Sequence, residues 1–267
     1  MTGDFLISFK IVAINSIVIS LQYLAFAGLV WWLAYRVCRE RWARRKIIQA
    51  VPGSRHMRRE IGYSLFAAFV FSLATLATWW GARLGWNKIY WDIGKHGVAW
   101  LFASGLITLV LWDTWFYWTH RAMHHPALFR VFHRTHHLSH NPTPWTAYAI
   151  DPPEAIVYAL FIVLVTFVYP LHPFTIAGFM GAQVALNLAI HTGYEFLPAR
   201  FSGSRWAQWI SSPTSHVQHH ETGRGNFGFC FQYWDRLMGT CHPAYDERLA
   251  ETVAKSSTRV GDRAPQE

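Results

Sequence analysis

The sequence predicts an all-α integral membrane bundle of about four to five spans, carrying a helical cap on its cytosolic side. Three observations predict it: long uncharged apolar stretches, a dense basic run between the first two of them, and a low overall charge. Of 267 residues, 52% are apolar or aromatic and 15% are charged. Soluble domains carry about 25% charged residues, so this chain lacks the usual solvating surface. The same figures exclude a disordered or collagen-like protein. Cys38, Cys230 and Cys241 are too few and too scattered for a disulfide framework, and no CxxC pair is present.

Residues 11–35 are 25 positions without a formal charge, and residues 61–82 are another 22. A helix needs about 20 apolar residues to cross a hydrocarbon core about 30 Å thick, so both are predicted spans. Residues 97–118 form a third, interrupted only by Asp113. Residues 155–190 are uncharged over 36 positions, with Pro170, His172 and Pro173 near the middle. Proline cannot continue a helix there, so the stretch reads as two helices of about 16 to 18 residues, either short spans or a re-entrant hairpin. The first stretch is far too long for the apolar core of a cleavable signal, and no A-x-A site follows it.

Arg36, Arg39, Arg41, Arg44, Arg45, Lys46, Arg55, Arg58 and Arg59 lie in the loop between the first two spans. A positive loop of this density is predicted to stay cytoplasmic. Much of the net charge of +9 is therefore topology signal and lipid-headgroup contact, and no nucleic-acid partner is expected. Counting crossings from that loop returns residues 119 onward, and again 191 onward, to the cytoplasm. The histidine-rich segments all fall on that side, although the count never used them.

Histidine is the anomaly of the composition: 15 residues, as many as all Asp and Glu together. Seven of the 21 residues from His120 to His140 are histidine. His120 and His124 lie one helical turn apart, on one face. His133, His136 and His137 stand at i, i+3 and i+4, and His216, His219 and His220 repeat that pattern 83 residues later. Neutral imidazoles clustered in this way are ligands for zinc, iron, copper or nickel. One metal takes four to six ligands, so eight histidines suit two metals, with no cysteine of a structural zinc site nearby. Two other readings of the pattern are a histidine-lined metal transporter and a bis-histidine haem protein.

The stretch from Asp113 through Tyr117, Trp118, Thr119, His120, Arg121 and His124, followed by His133, His136 and His137, resembles the sterol desaturase and fatty acid hydroxylase superfamily. Later blocks agree in order and spacing: His216, His219 and His220; Asn226-Phe227-Gly228; and Trp234-Asp235-Arg236 with Gly239-Thr240. The resemblance covers roughly residues 98–242. It implies a pair of irons at the membrane face, held by these eight histidines with His191 after the last membrane helix. It implies an O2-dependent oxidoreductase that hydroxylates or desaturates a C–H bond of a lipid. No haem or cluster motif is present, so a separate electron donor, a ferredoxin or a cytochrome b5-type protein, is implied as well.

Five further residues are expected beside the ligands. Asp113, two turns before His120 and costly inside a membrane, is expected to receive the free N–H of a ligand histidine. Asp235 is expected to orient a ligand in the cap. Glu195 stands where some relatives have a histidine and would ligate, orient His191, or do neither. His125 and His140 adjoin the clusters. Residues 141–154 read as an extended, proline-stiffened connection, with Asp151 where members of the family often have histidine. The expected division is membrane helices and basic loop over 1–95, a catalytic region over 96–242, and a loose polar tail over 243–267.

Overall fold

A computed structural model of the chain describes residues 2–202 and 204–257. In chain order the membrane part begins with α1 (Thr2–Trp32), α2 (Ser54–Arg83) and α3 (Gly97–Met123). Two short helices, α4 (Pro126–Phe132) and α5 (Arg134–His137), precede α6 (Pro152–Val168) and α7 (Pro173–Ile190). The cap is completed by α8 (Ala199–Ser202), α9 (Pro213–Thr222), α10 (Tyr233–Leu237) and α11 (Tyr245–Ser257). Among the described residues extended backbone pairs only in isolated bridges, so the all-α architecture stands.

Four helices are long and apolar enough to cross a membrane: α1 with its continuation to Val37, α2, α3 and α7. Phe5, Ile14, Phe102 and Leu106 are exposed on them, as lipid-facing side chains of a spanning bundle would be. At 17 and 18 residues, α6 and α7 extend only about 26 Å, somewhat less than the hydrocarbon thickness. Prolines open both helices at positions where the missing N–H costs nothing, and the His172 side chain caps α7 by accepting from Phe174 N–H. Trp112 and Phe116 of α3, Phe161 and Val165 of α6, Phe179 of α7 and Phe229 of the cap form the main core.

Two expectations are corrected here. The connection after the second histidine cluster is not extended: residues 144–148 coil into a 3-10 turn, closed by a capping box between Thr143 and Thr146. This turn sits inside the bundle, where its carbonyls are satisfied by Tyr23 and Ser64 (on Trp145) and by Asn187 (on Ala147). Non-helical backbone is tolerated among spans only where protein groups satisfy it in this way. Nor is the C-terminal region wholly a loose tail. Its residues 245–257 fold as an amphipathic helix, burying Tyr245, Leu249 and Val253 against the cap, while 258–267 lie outside the described residues.

The basic loop and the histidine segments meet at one end of the bundle. Lys46 bridges to Tyr194, Ile47 N–H bonds the Gly193 carbonyl, and Glu195 N–H bonds the Arg45 carbonyl. Lys46 is buried there, its ammonium over the rings of Tyr35 and Tyr194. Burial lowers its pKa to about 8.

Candidate metal centre

All nine histidines expected as ligands converge, in two adjoining groups. His120, His124, His133, His137 and His219 form one, and His136, His191, His216 and His220 the other. Within each group one nitrogen per ring lies within 4.8 Å of all the others. The groups share a wall, where the His137 ring stacks on that of His220 with centroids 5.0 Å apart.

Helix geometry distributes the rings. His120 ends α3 and His124 caps it, one turn on, so both enter the same group. On α9, His216 and His220 are separated by four residues and face the same way. His219 is rotated by about 100° from its neighbour and enters the other group. The second cluster divides likewise, His136 from His137. Three histidines at i, i+3 and i+4 therefore do not all enter one group. His133 belongs to no helix interior, because it closes α4 and caps α5. The adjacent pairs straddle the two groups.

The tautomers follow from what the other ring nitrogens touch. Carbonyl oxygens accept from Nδ1 of His120 (Phe227, 2.8 Å), His191 (Asn187, 2.8 Å), His219 (Gly225, 2.7 Å) and His136 (Ala149, 3.3 Å). His133 Nδ1 donates to Glu154 Oε1 at 2.8 Å, the one acidic side chain bonded to these nine rings among the described residues. Each of these rings therefore turns an Nε2 lone pair inward. The Nε2 atoms of His136 and His191 face each other at 3.4 Å, two lone pairs with no proton between them. Those of His120, His124 and His133 are buried without a partner. Other Nε2 pairs lie 2.9–3.1 Å apart. Neighbouring ligands bonded at about 2.1 Å to one metal come about 3 Å apart, so the arrangement fits bound cations and is poorly satisfied without them.

Burial holds His133, His136, His137, His216 and His220 well below the usual imidazole range, and neighbouring imidazoles add to the effect. It pulls His191 and His219 down to about 4. These rings are neutral at pH 7, the form that binds a metal. Phe116, Phe129 and Phe227 wall the five-histidine group, with ring centroids 5.0–5.6 Å from His120, His124 and His137.

Of the residues expected beside the ligands, none bonds a ring of the two groups. Asp113 touches no histidine: its Oδ1 accepts from the backbone N–H groups of Cys230 and Phe231. Seven residues place it on His120's face but about 10 Å lower along the axis, too far to reach a ring. Asp235 works through backbone as well, accepting from Phe227 N–H, Gly228 N–H and the Thr240 hydroxyl. The two carboxylates thus fix the loop whose Gly225 and Phe227 carbonyls hold His219 and His120. Glu195 neither ligates nor orients His191; it accepts from Thr214 at the start of α9 and from Leu197 N–H. His125 is exposed and caps α4, and His140 lies outside both groups with Nδ1 against the His220 carbonyl.

Sequence reasoning missed three acidic residues. Glu154 orients His133, as described. Asp151 accepts from the N–H and hydroxyl of Thr135, between two ligands. Glu60, near the N-terminal end of α2, accepts from the hydroxyls of Ser139 and Thr146. The available signal was a carboxylate entering an apolar helix, which is costly without a task.

Gly228 shows how tight the carbonyl-bearing loop is. A Cβ there would run into the Phe231 carbonyl oxygen and lie 2.9 Å from Asp235 Oδ2. Gly228→Ala is expected to displace both, lowering the thermal midpoint and reducing metal retention; an unchanged melt and metal content would refute the clamp.

Residues 105–240 match the sequence model of the fatty acid hydroxylase family. Rat (Rattus norvegicus) lathosterol oxidase is 30% identical over 189 residues, 70% of this chain and 62% of the relative. A Delta(7)-sterol 5(6)-desaturase of Gibberella zeae is 31% identical over 188 residues, 69% of this chain and 55% of the relative. The chain thus spans roughly three fifths of the length of these relatives. No solved structure matches significantly.

Proposed function

The chain belongs to the fatty acid hydroxylase family, and from that premise we propose that it is a membrane-bound, O2-dependent di-iron oxidoreductase acting on a C–H bond of a lipid. The observation that carries this reading is the pair of adjoining, buried histidine groups at the membrane end of α3 and α7. Five rings with Nδ1 committed to oxygen acceptors leave Nε2 free, a nitrogen-only donor set compatible with iron. His120, His124, His133, His137 and His219 would hold one ion; His136, His191, His216 and His220 would hold the other. Such a pair, when bound, supplies the redox chemistry that directs molecular oxygen at an unactivated C–H bond.

The chain's own residues do the rest. Phe227, Ala149, Asn187, Gly225 and Glu154 fix the ring orientations, so the rings are held in position before any ligand arrives. The phenylalanine wall keeps water from the five-histidine group. Trp112, Phe116, Phe161 and Phe179 pack as an apolar core beside that group, and a lipid would approach from the bilayer around them. Both relatives are named for reactions on sterols, so a sterol is the substrate we propose to test first, with hydroxylation and desaturation as the two outcomes. We place the centre on the cytoplasmic face, beside the basic loop, where a separate ferredoxin or cytochrome b5-type donor would deliver electrons. The transporter and haem readings lose ground, because the histidines collect at span ends in groups of five and four rather than along a pathway or in facing pairs.

The test is lipid profiling of cells with and without the gene, together with metal analysis of the purified protein. The expected result is two irons per chain, by the ligand count, and one oxidised lipid that disappears with the gene. Protein that holds zinc alone and leaves every lipid unchanged after iron reconstitution would overturn the reading.

A further inference from the structure

The cap carries an apolar face that the metal chemistry does not use. Leu237 is 65% exposed and Trp206 63%, and beside them Trp209, Phe231 and Met238 are exposed as well. Chain pairing brings these residues together: Ile210 bridges to Phe231, Gln232 N–H bonds the Trp209 carbonyl, and the Arg236 guanidinium donates to the Gln208 carbonyl. Soluble surfaces seldom leave such a cluster of large apolar side chains open to water.

What covers it is indicated by where it is attached. Tyr233 Oη and Trp234 Nε1 both bond the Thr114 hydroxyl, at 2.7 and 3.1 Å, and the Trp234 ring packs edge-on against Trp118. Thr114 belongs to the spanning helix α3 and lies six residues, or about 9 Å, below His120 along the axis. Helix α10 is therefore fastened to α3 below the metal layer, and its exposed side continues the lipid-facing surface of that helix.

The charges fit the same medium. Arg205 is exposed beside the patch, its guanidinium 5.2 Å from the Trp206 ring centroid, and Arg200 is exposed in the segment that precedes it. Arg121 stands over Trp118. Between residues 199 and 242 the only acids are Glu221, which pairs with Arg248, and the buried Asp235. Tryptophan with flanking arginine is the composition of a headgroup-layer contact.

We propose that the face formed by Trp118, Trp206, Trp209, Phe231, Leu237 and Met238 is seated in the headgroup–acyl boundary of the bilayer that α3 crosses. The cap is then a monotopic anchor joined to a spanning bundle. Its seating holds the two histidine groups at the depth of the lipid surface. The proposal does not depend on which metal, or which reaction, the histidines serve.

The test places the photoreactive residue p-benzoylphenylalanine in the full-length chain, in membranes of phosphatidylcholine and phosphatidylserine. It is introduced singly at Leu237, at Ile107 on the exposed face of α3, and at Glu247 on the exposed side of α11. After illumination, phospholipid adducts are counted by mass spectrometry. The adduct yield at 237 is expected to approach that at 107 and to exceed that at 247 several-fold. A yield at 237 no higher than at 247 would overturn the proposal, because the patch would then face water or protein.

Discussion

His216→Ala protein, purified in detergent, is expected to carry about half the iron of the parent and to have no lipid-oxidising activity. His216 belongs to the four-histidine group, where its Nε2 lies 2.9 Å from that of His191 and 3.1 Å from that of His220. Its removal leaves three ligands to that ion, while the five rings of the other group are untouched. The measurement must count both ions: elemental analysis of the protein, alongside the lipid product. If the variant retained full iron and full turnover, the division into two groups would be wrong. If it lost both ions, the groups would have to load as one unit.

The second large effect is expected at Glu154. Glu154→Ala removes the side-chain carboxyl acceptor of His133 and leaves the buried Nδ1–H of that ring without a partner. Loss of a partner behind a ligand histidine typically costs about 10- to 100-fold in metal affinity. The expected reading is a metal-retention curve against chelator shifted by that factor in the five-histidine group alone. Glu154→Gln keeps an oxygen acceptor for that N–H, so it should recover most of the affinity. Equal behaviour of the two variants would show that His133 is held by packing, not by its hydrogen bond.

The spans and the nine converging histidines were legible because their signals are local. Apolar length marks a membrane helix without reference to any neighbour, and the basic residues 36–59 mark the loop that meets the histidine segments at one end of the bundle. Histidines at helical spacing mark themselves. Their division between two groups was not legible, because it depends on where helices stop: His133 reads as part of a triplet until α4 is seen to end on it. The carbonyls of Ala149, Asn187, Gly225 and Phe227 carry no side-chain signature and are invisible in any sequence. The roles of Asp113 and Asp235 were misjudged for the same reason, since each acts on backbone brought in from 117 and 7 or 8 residues away. Residues 245–257 read as tail because their polar composition masked a single apolar stripe, Tyr245, Leu249 and Val253.

The straddling pairs His136–His137 and His219–His220 have a consequence for how the protein is held together. The five-histidine group draws on the end of α3, the segment around α5, and α9; the other group draws on α5, the residue after α7, and α9 again. Ions in both would act as cross-links between segments up to about 100 residues apart, closing long loops that otherwise cost entropy to order. The spanning helices need no such fastening, since lipid and their own packing hold them. The cap does. Ions bound here would be part of the architecture as well as the chemistry, and a chain without them would keep its bundle while the histidine-bearing segments of its cap loosened.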